Sequence, residues 1–323
     1  MNFSDYKTWQ KSVLENHAPL RLDCLNPFIA MKWSQKTGAT ATGHPTQMLQ
    51  NVLGYGERDD IVKPIPGVRA ALEDIFVDAK RNGWTLALPE DVYPFYWDAA
   101  ERAGYDASTL IRFPTLPQPD FSPLSVAEDA TIVVLTAPLS PLGRHLNEEE
   151  ISFLSNWLEE DIERMLVLDT VYDYETPLHP SIWKLWESEQ TIILNSMSKT
   201  HLQRGLFGIA MLPVGLLMAP KLRRPTPEGE QAATDALTHH PHHAVDQQRA
   251  FDAEWKRLTP AIEKMTGQTF TPPENGYMAT VNISFQDALS EHNTLVVPAS
   301  VFGSKKPNLS ILTCLHDIGQ HQA

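Results

Sequence analysis

Residues 193–212 read ILNSMSKTHLQRGLFGIAML, two apolar runs joined by a polar knot, Ser196-Met197-Ser198-Lys199-Thr200. Arg204 and two glycines follow directly. A lysine between a serine and a threonine at the end of a strand pattern is, taken alone, a solvated loop residue. What it means here depends on the segments upstream. TLAL (85–88), TIVVLT (131–136), MLVLD (165–169), TIILN (191–195) and GIAML (208–212) are short apolar runs. Helical patterns stand between several of them: GVRAALEDIFVDAKRNG (67–83), PFYWDAAERAG (94–104) and NEEEISFLSNWLEED (147–161). In the last, Ile151, Leu154 and Leu158 recur at helical spacing behind an acidic first turn, which the helix dipole favours. Near-continuous apolar strands alternating with helices predict an α/β fold, a mostly parallel sheet covered on both faces.

Composition bounds the function. The chain has 323 residues, 42% of them apolar and 20% charged, as expected of a globular protein. Its formal net charge is −14, from 26 basic and 40 acidic residues, and no basic stripe reverses that balance locally, so no nucleic-acid partner is expected. The two cysteines, Cys24 and Cys314, lie far apart and suit a reducing compartment. No apolar run reaches the ~18 to 20 residues of a membrane span. The first twenty residues lack the build of a signal peptide, so the expected location is cytoplasmic. HHPHH (239–243) has no acidic or cysteine partner at ligand spacing and reads as a solvated loop, with no metal expected. PKLRRPTPEGEQ (220–231) reads as a surface connection or a mobile lid.

In open parallel sheets, ligands bind beyond the carboxyl ends of the strands. Three of those ends carry chemistry. TIVVLT opens into Ala137-Pro138-Leu139-Ser140-Pro141-Leu142-Gly143, MLVLD closes on Asp169-Thr170-Val171-Tyr172, and TIILN runs into Ser196 and Lys199. Asp169 follows Ser140 by 29 residues, and Lys199 follows Asp169 by 30.

That order resembles the fold-type I pyridoxal-phosphate enzymes, the class I/II aminotransferase family in particular. The resemblance runs from about Leu53 to Leu315. Ser196-Met197-Ser198-Lys199-Thr200 matches the family's S-x-S-K-T, Asp169-Thr170-Val171-Tyr172 its D-x-x-Y, and Ser140-Pro141-Leu142-Gly143 loosely its N-P-T-G turn. PGVRAAL (66–72) is similar to the glycine-led loop under the cofactor phosphate. LPEDVYPFY (88–96) is similar to the segment carrying the stacking aromatic, and VVPASVFG (296–303) to V-V-P-G-S-x-F-G. The resemblance implies pyridoxal 5′-phosphate as cofactor, with Lys199 as the Schiff-base and proton-shuttling lysine. It implies that Asp169 pairs with the pyridine nitrogen, Tyr172 bonds the phenolic oxygen and Tyr93 stacks on the ring. Gly67, Val68 and Ser196 take the phosphate. Tyr55, in LGYGERDD, stands where the family's tyrosine reaches the partner subunit's phosphate, which implies a homodimer.

Departures from the pattern matter as much. Ser140 stands where the family has asparagine. The phosphate arginine expected eight residues after the lysine is Phe207, which leaves Arg204 or Arg69 to supply that charge. In SKKPNLSILTCL (304–315), Asn308 replaces the arginine that forks onto a substrate's α-carboxylate, and a neutral donor is roughly half as strong as a charge-assisted pair. Arg21, in PLRLDCLNPF, and Lys305 and Lys306 are the other candidate cations. Almost nothing lies between Tyr55 and Gly67, so the small domain is trimmed.

The expected organisation is an amino-terminal segment (1–33) that joins the small domain, a large cofactor domain (34–245) and a small carboxyl-terminal α+β domain (246–323). The expected function is a cofactor-dependent aminotransferase of an amino acid or amine. Alternatives on the same scaffold are a lyase, cyclase or decarboxylase in specialised biosynthesis, or a non-catalytic cofactor-binding homologue. Amino transfer needs a 2-oxo acid acceptor, and the others do not.

Overall fold

A run such as TIVVLT or MLVLD has no polar face to turn toward water, so both faces of its sheet must be covered. The computed structural model, which describes residues 1–30, 40–55, 62–126, 130–202, 207–216 and 218–316, shows what covers them. The chain runs through α1 (Phe3–Asn16), β1 (Leu20–Arg21), α2 (Pro27–Ala30), α3 (Pro45–Val52), β2 (Val62–Ile65), α4 (Val68–Arg81) and β3 (Thr85–Pro89). It continues through α5 (Phe95–Arg102), β4 (Ile111–Phe113), β5 (Thr131–Thr136), α6 (Glu148–Glu159), β6 (Met165–Asp169) and α7 (Pro180–Trp186). Then come β7 (Thr191–Ser196), the one-turn α8 (Met197–Thr200), β8 (Gly208–Met211), α9 (Pro227–His239) and α10 (His243–Thr266). The last elements are β9 (Met278–Val281), α11 (Phe285–His292), β10 (Thr294–Leu295), β11 (Val297–Pro298) and β12 (Ser310–Thr313).

The large sheet has seven strands in the order β2-β8-β7-β6-β5-β3-β4. β3 to β7 pair in parallel, and β8 alone runs against its neighbours on both sides. Side chains alternate across the pleat, so each strand feeds two cores. Val133, Leu135, Leu166, Leu168 and Ile193 face one layer, built with α3, α6, α7 and α9. Ile132, Val134, Val167, Ile192 and Leu194 face the other, built with α4 and α5. α6 begins with a capping box, Asn147 and Glu150 each bonding the other's backbone N–H, as its acidic first turn suggested. Among the described residues no helix is long and apolar enough to cross a membrane.

A further apolar cluster joins both chain ends. β1 pairs in parallel with β10, and β9, β11 and β12 form an antiparallel three-stranded sheet. Tyr6, Leu22, Phe251, Trp255, Ile262, Val297 and Ile311 pack together there. Truncating the fully buried Trp255 to Ala removes one of the largest side chains in this cluster, a loss of about 3–5 kcal/mol.

The VVPASVFG stretch closes against the large sheet. Gly303 has φ +99°, and a Cβ there would stand 2.2 Å from the Glu90 carbonyl oxygen, so only glycine fits. The proline-rich stretch from 220 is a strap and not a lid. Arg223 bonds Glu73, Asp74 and the Ala70 carbonyl along α4, and the Lys221 N–H bonds Asp78. HHPHH is only partly a solvated loop. His243 is buried, and its Nδ1 lies 2.7 Å from the Thr200 carbonyl oxygen.

Candidate active site at the carboxyl edge of the sheet

The parallel register brings the chemically loaded strand ends level. Thr136 of β5 pairs with Asp169 of β6, and Asp169 pairs with Leu194 of β7. The backbone is stitched beyond the last pairs: Ala137 N–H donates to the Asp169 carbonyl (2.9 Å) and Thr170 N–H to that of Leu194 (2.8 Å). Asn195 fastens the two loops further, its Nδ2 donating to the Thr170 hydroxyl (2.9 Å) and carbonyl (3.2 Å). Asp169, Tyr172, Ser196 and Lys199 are therefore delivered to one edge by elements that cannot slide past one another.

Asp169 is 4% exposed. The Tyr96 hydroxyl donates to its Oδ2, and the Val171 N–H donates to Oδ1 at 3.0 Å. Burial pushes its carboxyl up to about 6, against these hydrogen bonds and the Lys199 charge, which favour the ionised form. Lys199 shows the mirror image. Burial pulls its ammonium down to about 8, the Arg69 cation pulls the same way, and Asp169 resists. Its Nζ lies over the rings of Phe28 (5.6 Å) and Tyr172 (5.9 Å). Burial raises the Tyr172 hydroxyl to about 12, opposed by a hydrogen bond from Tyr277, whose ring meets it edge-on at 5.8 Å. Thr200, next to the lysine, has its carbonyl held by His243 and by Gln247 Nε2 (2.6 Å), both on α10.

The amino end of α4 faces the same corner. Gly67 is its N-cap, with φ +110°, and has no side-chain partner. The first intrahelical bond is from the Ala71 N–H to the Gly67 carbonyl, so the N–H groups of Val68, Arg69 and Ala70 have no carbonyl of their own helix. A Cβ on Gly67 would stand 3.6 Å from the Ser196 hydroxyl oxygen. Ser196 caps α8, accepting from the Ser198 N–H, and donates to the Phe207 carbonyl. Arg69 is exposed at the mouth. It donates to the Tyr93 hydroxyl (2.9 Å), with its guanidinium over the rings of Tyr93 (5.2 Å) and Phe95 (5.0 Å). Ser140 lies on the β5 turn, its N–H held by the Thr136 hydroxyl at 2.8 Å.

Thus Lys199, Asp169, Tyr172, Tyr93, Arg69, Gly67, Val68 and Ser196 converge. Four other candidates have different surroundings. Tyr55 stacks on Trp183 (5.5 Å) and meets Trp186 edge-on, on the α7 side of the sheet. Arg21 is paired with Asp23 at 2.6 Å, and Asp23 also bonds Tyr6 and Gln10. Asn308 is exposed in the turn before β12, and Lys305 pairs with Glu90 (2.9 Å). Arg204 lies outside the described residues. Tyr96, Phe28 and Tyr277 escaped sequence reading. Tyr96 had one available signal, its position three residues after Tyr93 in a helix start, which puts both rings on one face.

No protein-family model matches the chain. It is 24% identical over 320 residues to aspartate aminotransferase of Bacillus subtilis (strain 168), covering 89% of this chain and 74% of that protein. Its fold is similar to YbdL from Escherichia coli, identified with a methionine aminotransferase function, at TM-score 0.71 and 18% identity, covering 97% of this chain and 94% of that one. It is also similar to substrate-bound BacF from Bacillus subtilis (TM-score 0.70, 17% identity, 99% and 93% covered). L,L-diaminopimelate aminotransferase from Chlamydomonas reinhardtii aligns at TM-score 0.70 and 16% identity, over 97% of this chain and 91% of that one.

Proposed function

We propose that the chain, whose fold is similar to those of aminotransferases, is a pyridoxal-phosphate-dependent aminotransferase of an amino acid or amine, a fold-type I enzyme of the class I/II kind. The observation that carries the reading is the buried Asp169 beside a lysine whose ammonium is drawn down to about 8.

The residues present fit the cofactor. Gly67 leaves open the space beside Ser196 that a Cβ would fill, at the head of a fourteen-residue helix with uncapped N–H groups. When bound, the cofactor supplies an electron sink for the carbon bearing the substrate's amine. Asp169 would hold a pyridine N–H, and Tyr96 fixes the carboxylate that does so. Tyr172 offers a phenol that burial keeps protonated at neutral pH, a hydrogen-bond donor for the cofactor's phenolic oxygen. The Lys199 amine, part neutral near pH 8, takes a proton at Nζ and returns it. Tyr93 would stack on the cofactor ring, Ser140 would face its phenolic side, and Gly67, Val68 and Ser196 would take the phosphate. The charge for that phosphate would come from Arg69 or Arg204.

The same reading includes a homodimer in which Tyr55 reaches the partner's phosphate, a cytoplasmic location, and a large domain of residues 34–245 flanked by end segments that form a small one. A lyase or decarboxylase is the second reading. It is favoured by the pairing of Arg21 with Asp23 and by the neutral, exposed Asn308, which leave the α-carboxylate without its usual arginine.

Visible absorption of the purified protein with added pyridoxal phosphate tests the first step. A band present in the wild type and absent in Lys199→Ala supports the site, and no band at saturating cofactor refutes it. Amino exchange with a 2-oxo acid then separates transamination from elimination or decarboxylation.

A further inference from the structure

Outside that site, three loops meet at a cluster of metal-ligating side chains. His145 ends the turn that follows β5, Glu175 and His179 stand between β6 and α7, and Glu274 and Asn275 precede β9. One ring nitrogen from His145, one from His179 and one carboxylate oxygen of Glu175 all lie within 4.8 Å of one another. The two imidazoles are stacked, with centroids 3.8 Å apart and planes 11° from parallel. Glu175 Oε1 lies 3.2 Å from His145 Nε2.

We infer that His145, Glu175 and His179 form a binding site for a single divalent transition-metal ion of the zinc class, which ties the three loops together. His145 has a side chain only 5% exposed, and its Nε2, 3.2 Å from Glu175 Oε1, is the nitrogen it offers an ion, while Nδ1 stays buried on the other side of the ring. The surroundings hold the candidate ligands as metal sites do. His179 Nδ1 accepts from the Ser181 N–H (3.3 Å) and lies 2.8 Å from Ser181 Oγ, which fixes the ring; binding an ion at Nε2 would move the ring's proton to Nδ1, where the hydroxyl can accept it. Glu274 holds the His145 N–H (3.0 Å), and Asn275 bridges Asp173 (2.9 Å) and the Tyr174 N–H (3.0 Å).

Two imidazoles and one carboxylate select a borderline ion such as Zn²⁺, Co²⁺ or Ni²⁺ over the all-oxygen preference of Ca²⁺ and Mg²⁺. Zinc holds N and O ligands at about 2.0–2.2 Å, so tetrahedral donors stand roughly 3.4 Å apart. The stacked rings must therefore fan and draw inward. His179 and Glu175 are both half-buried and can supply that movement, while His145 is the fixed ligand. Glu175 also lines a surface groove of 860 Å³, which gives an ion its way in. With three protein ligands, water completes the coordination. The inference does not rest on the reading of Lys199.

The test is a Zn²⁺ titration of the chelator-treated full-length protein, by competition with a chromogenic chelator and by thermal unfolding. The surface histidines at 239 and 242 are a competing source of binding, so a His239→Ala/His242→Ala double variant is the control. The expected result is a site of one equivalent that survives in the control, is lost in His179→Ala and is weakened at least tenfold in Glu175→Gln. Its loss removes the Zn²⁺-dependent rise in Tm. If His179→Ala fails to fold, Glu175→Gln decides. Unchanged stoichiometry and affinity in the triad variants, loss of all binding in the control, or no stoichiometric binding in the wild type would each overturn the site.

Discussion

At the carboxyl edge of the large sheet, Asp169 is buried, bonded to Tyr96 and Val171, and set beside Lys199. At the turn before β12, Asn308 is exposed and neutral, and two of the candidate cations are already paired, Arg21 with Asp23 and Lys305 with Glu90. The first region holds the carboxylate, phenol and lysine that the proposed chemistry would use. The second lacks the charged fork that would grip an α-carboxylate. A buried charge is costly unless it is satisfied, and Asp169 is held by the Tyr96 hydroxyl and the Val171 N–H with the Lys199 charge acting on it. An exposed turn carries no such cost, and Asn308 is tolerated there. The difference separates what the scaffold requires from what substrate choice leaves free to change.

The largest effect expected from breaking the first region is with Lys199→Ala, which lowers turnover by about 10³-fold or more, as loss of a general base and covalent anchor does. Steady-state kinetics with saturating cofactor read it, and residual activity within tenfold of wild type would remove Lys199 from the chemistry. Asp169→Asn leaves a side chain of the same shape without its charge, and a fall of about 10²-fold is expected, the scale of losing one preorganised electrostatic contact. A variant as active as wild type would make Asp169 a structural residue only.

A third prediction needs no cofactor. The folded Lys199 ammonium is drawn down to about 8 from 10.5, chiefly by burial. Between those values the unfolded chain holds a proton that the folded chain has lost, so stability rises with pH across that window. The charged lysine is correspondingly a burden at neutral pH, by up to about 3 kcal/mol. Denaturant unfolding should find Lys199→Met the more stable at pH 7, with the gap closing between pH 8 and 10.5. A gap that does not change with pH would show that the amine is not depressed.

Tyr96→Phe should weaken cofactor binding by about tenfold, the cost of one hydrogen bond to a charged group, with kcat changing less than KM for the cofactor. The smallest effect is predicted for Asn308→Arg. Because the turn is exposed, kcat/KM for 2-amino acids should stay within about threefold, surface changes being worth roughly 0.5 kcal/mol. A rise of tenfold or more would mean that the carboxylate binds there after all, and the contrast between the two regions would collapse.

Much of this was legible in the residues. TIVVLT and MLVLD became strands over the same residues that their apolar runs span, and TIILN needed only Ser196 added. β8 was legible as a strand but its reversed direction was not, since an apolar run has no preferred pairing sense. The PKLRR stretch looked free because its charges and prolines are locally unstructured, yet Arg223 found Glu73 and Asp74 on a helix far back in the chain.

By itself the sequence determined the α/β fold, the order of the strand ends, and the identity of Asp169, Tyr172 and Lys199 as their loaded residues. Periodicity and spacing along the chain carry that information, because burial of alternate side chains is dictated locally. Only the tertiary structure decided that Tyr96 bonds Asp169, that Asp23 takes Arg21, that His243 backs Thr200 and that His145 meets Glu175 and His179. Apart from Arg21 and Asp23, which are two residues apart, those partners lie 30 to 73 residues apart and meet only when packing brings their loops together.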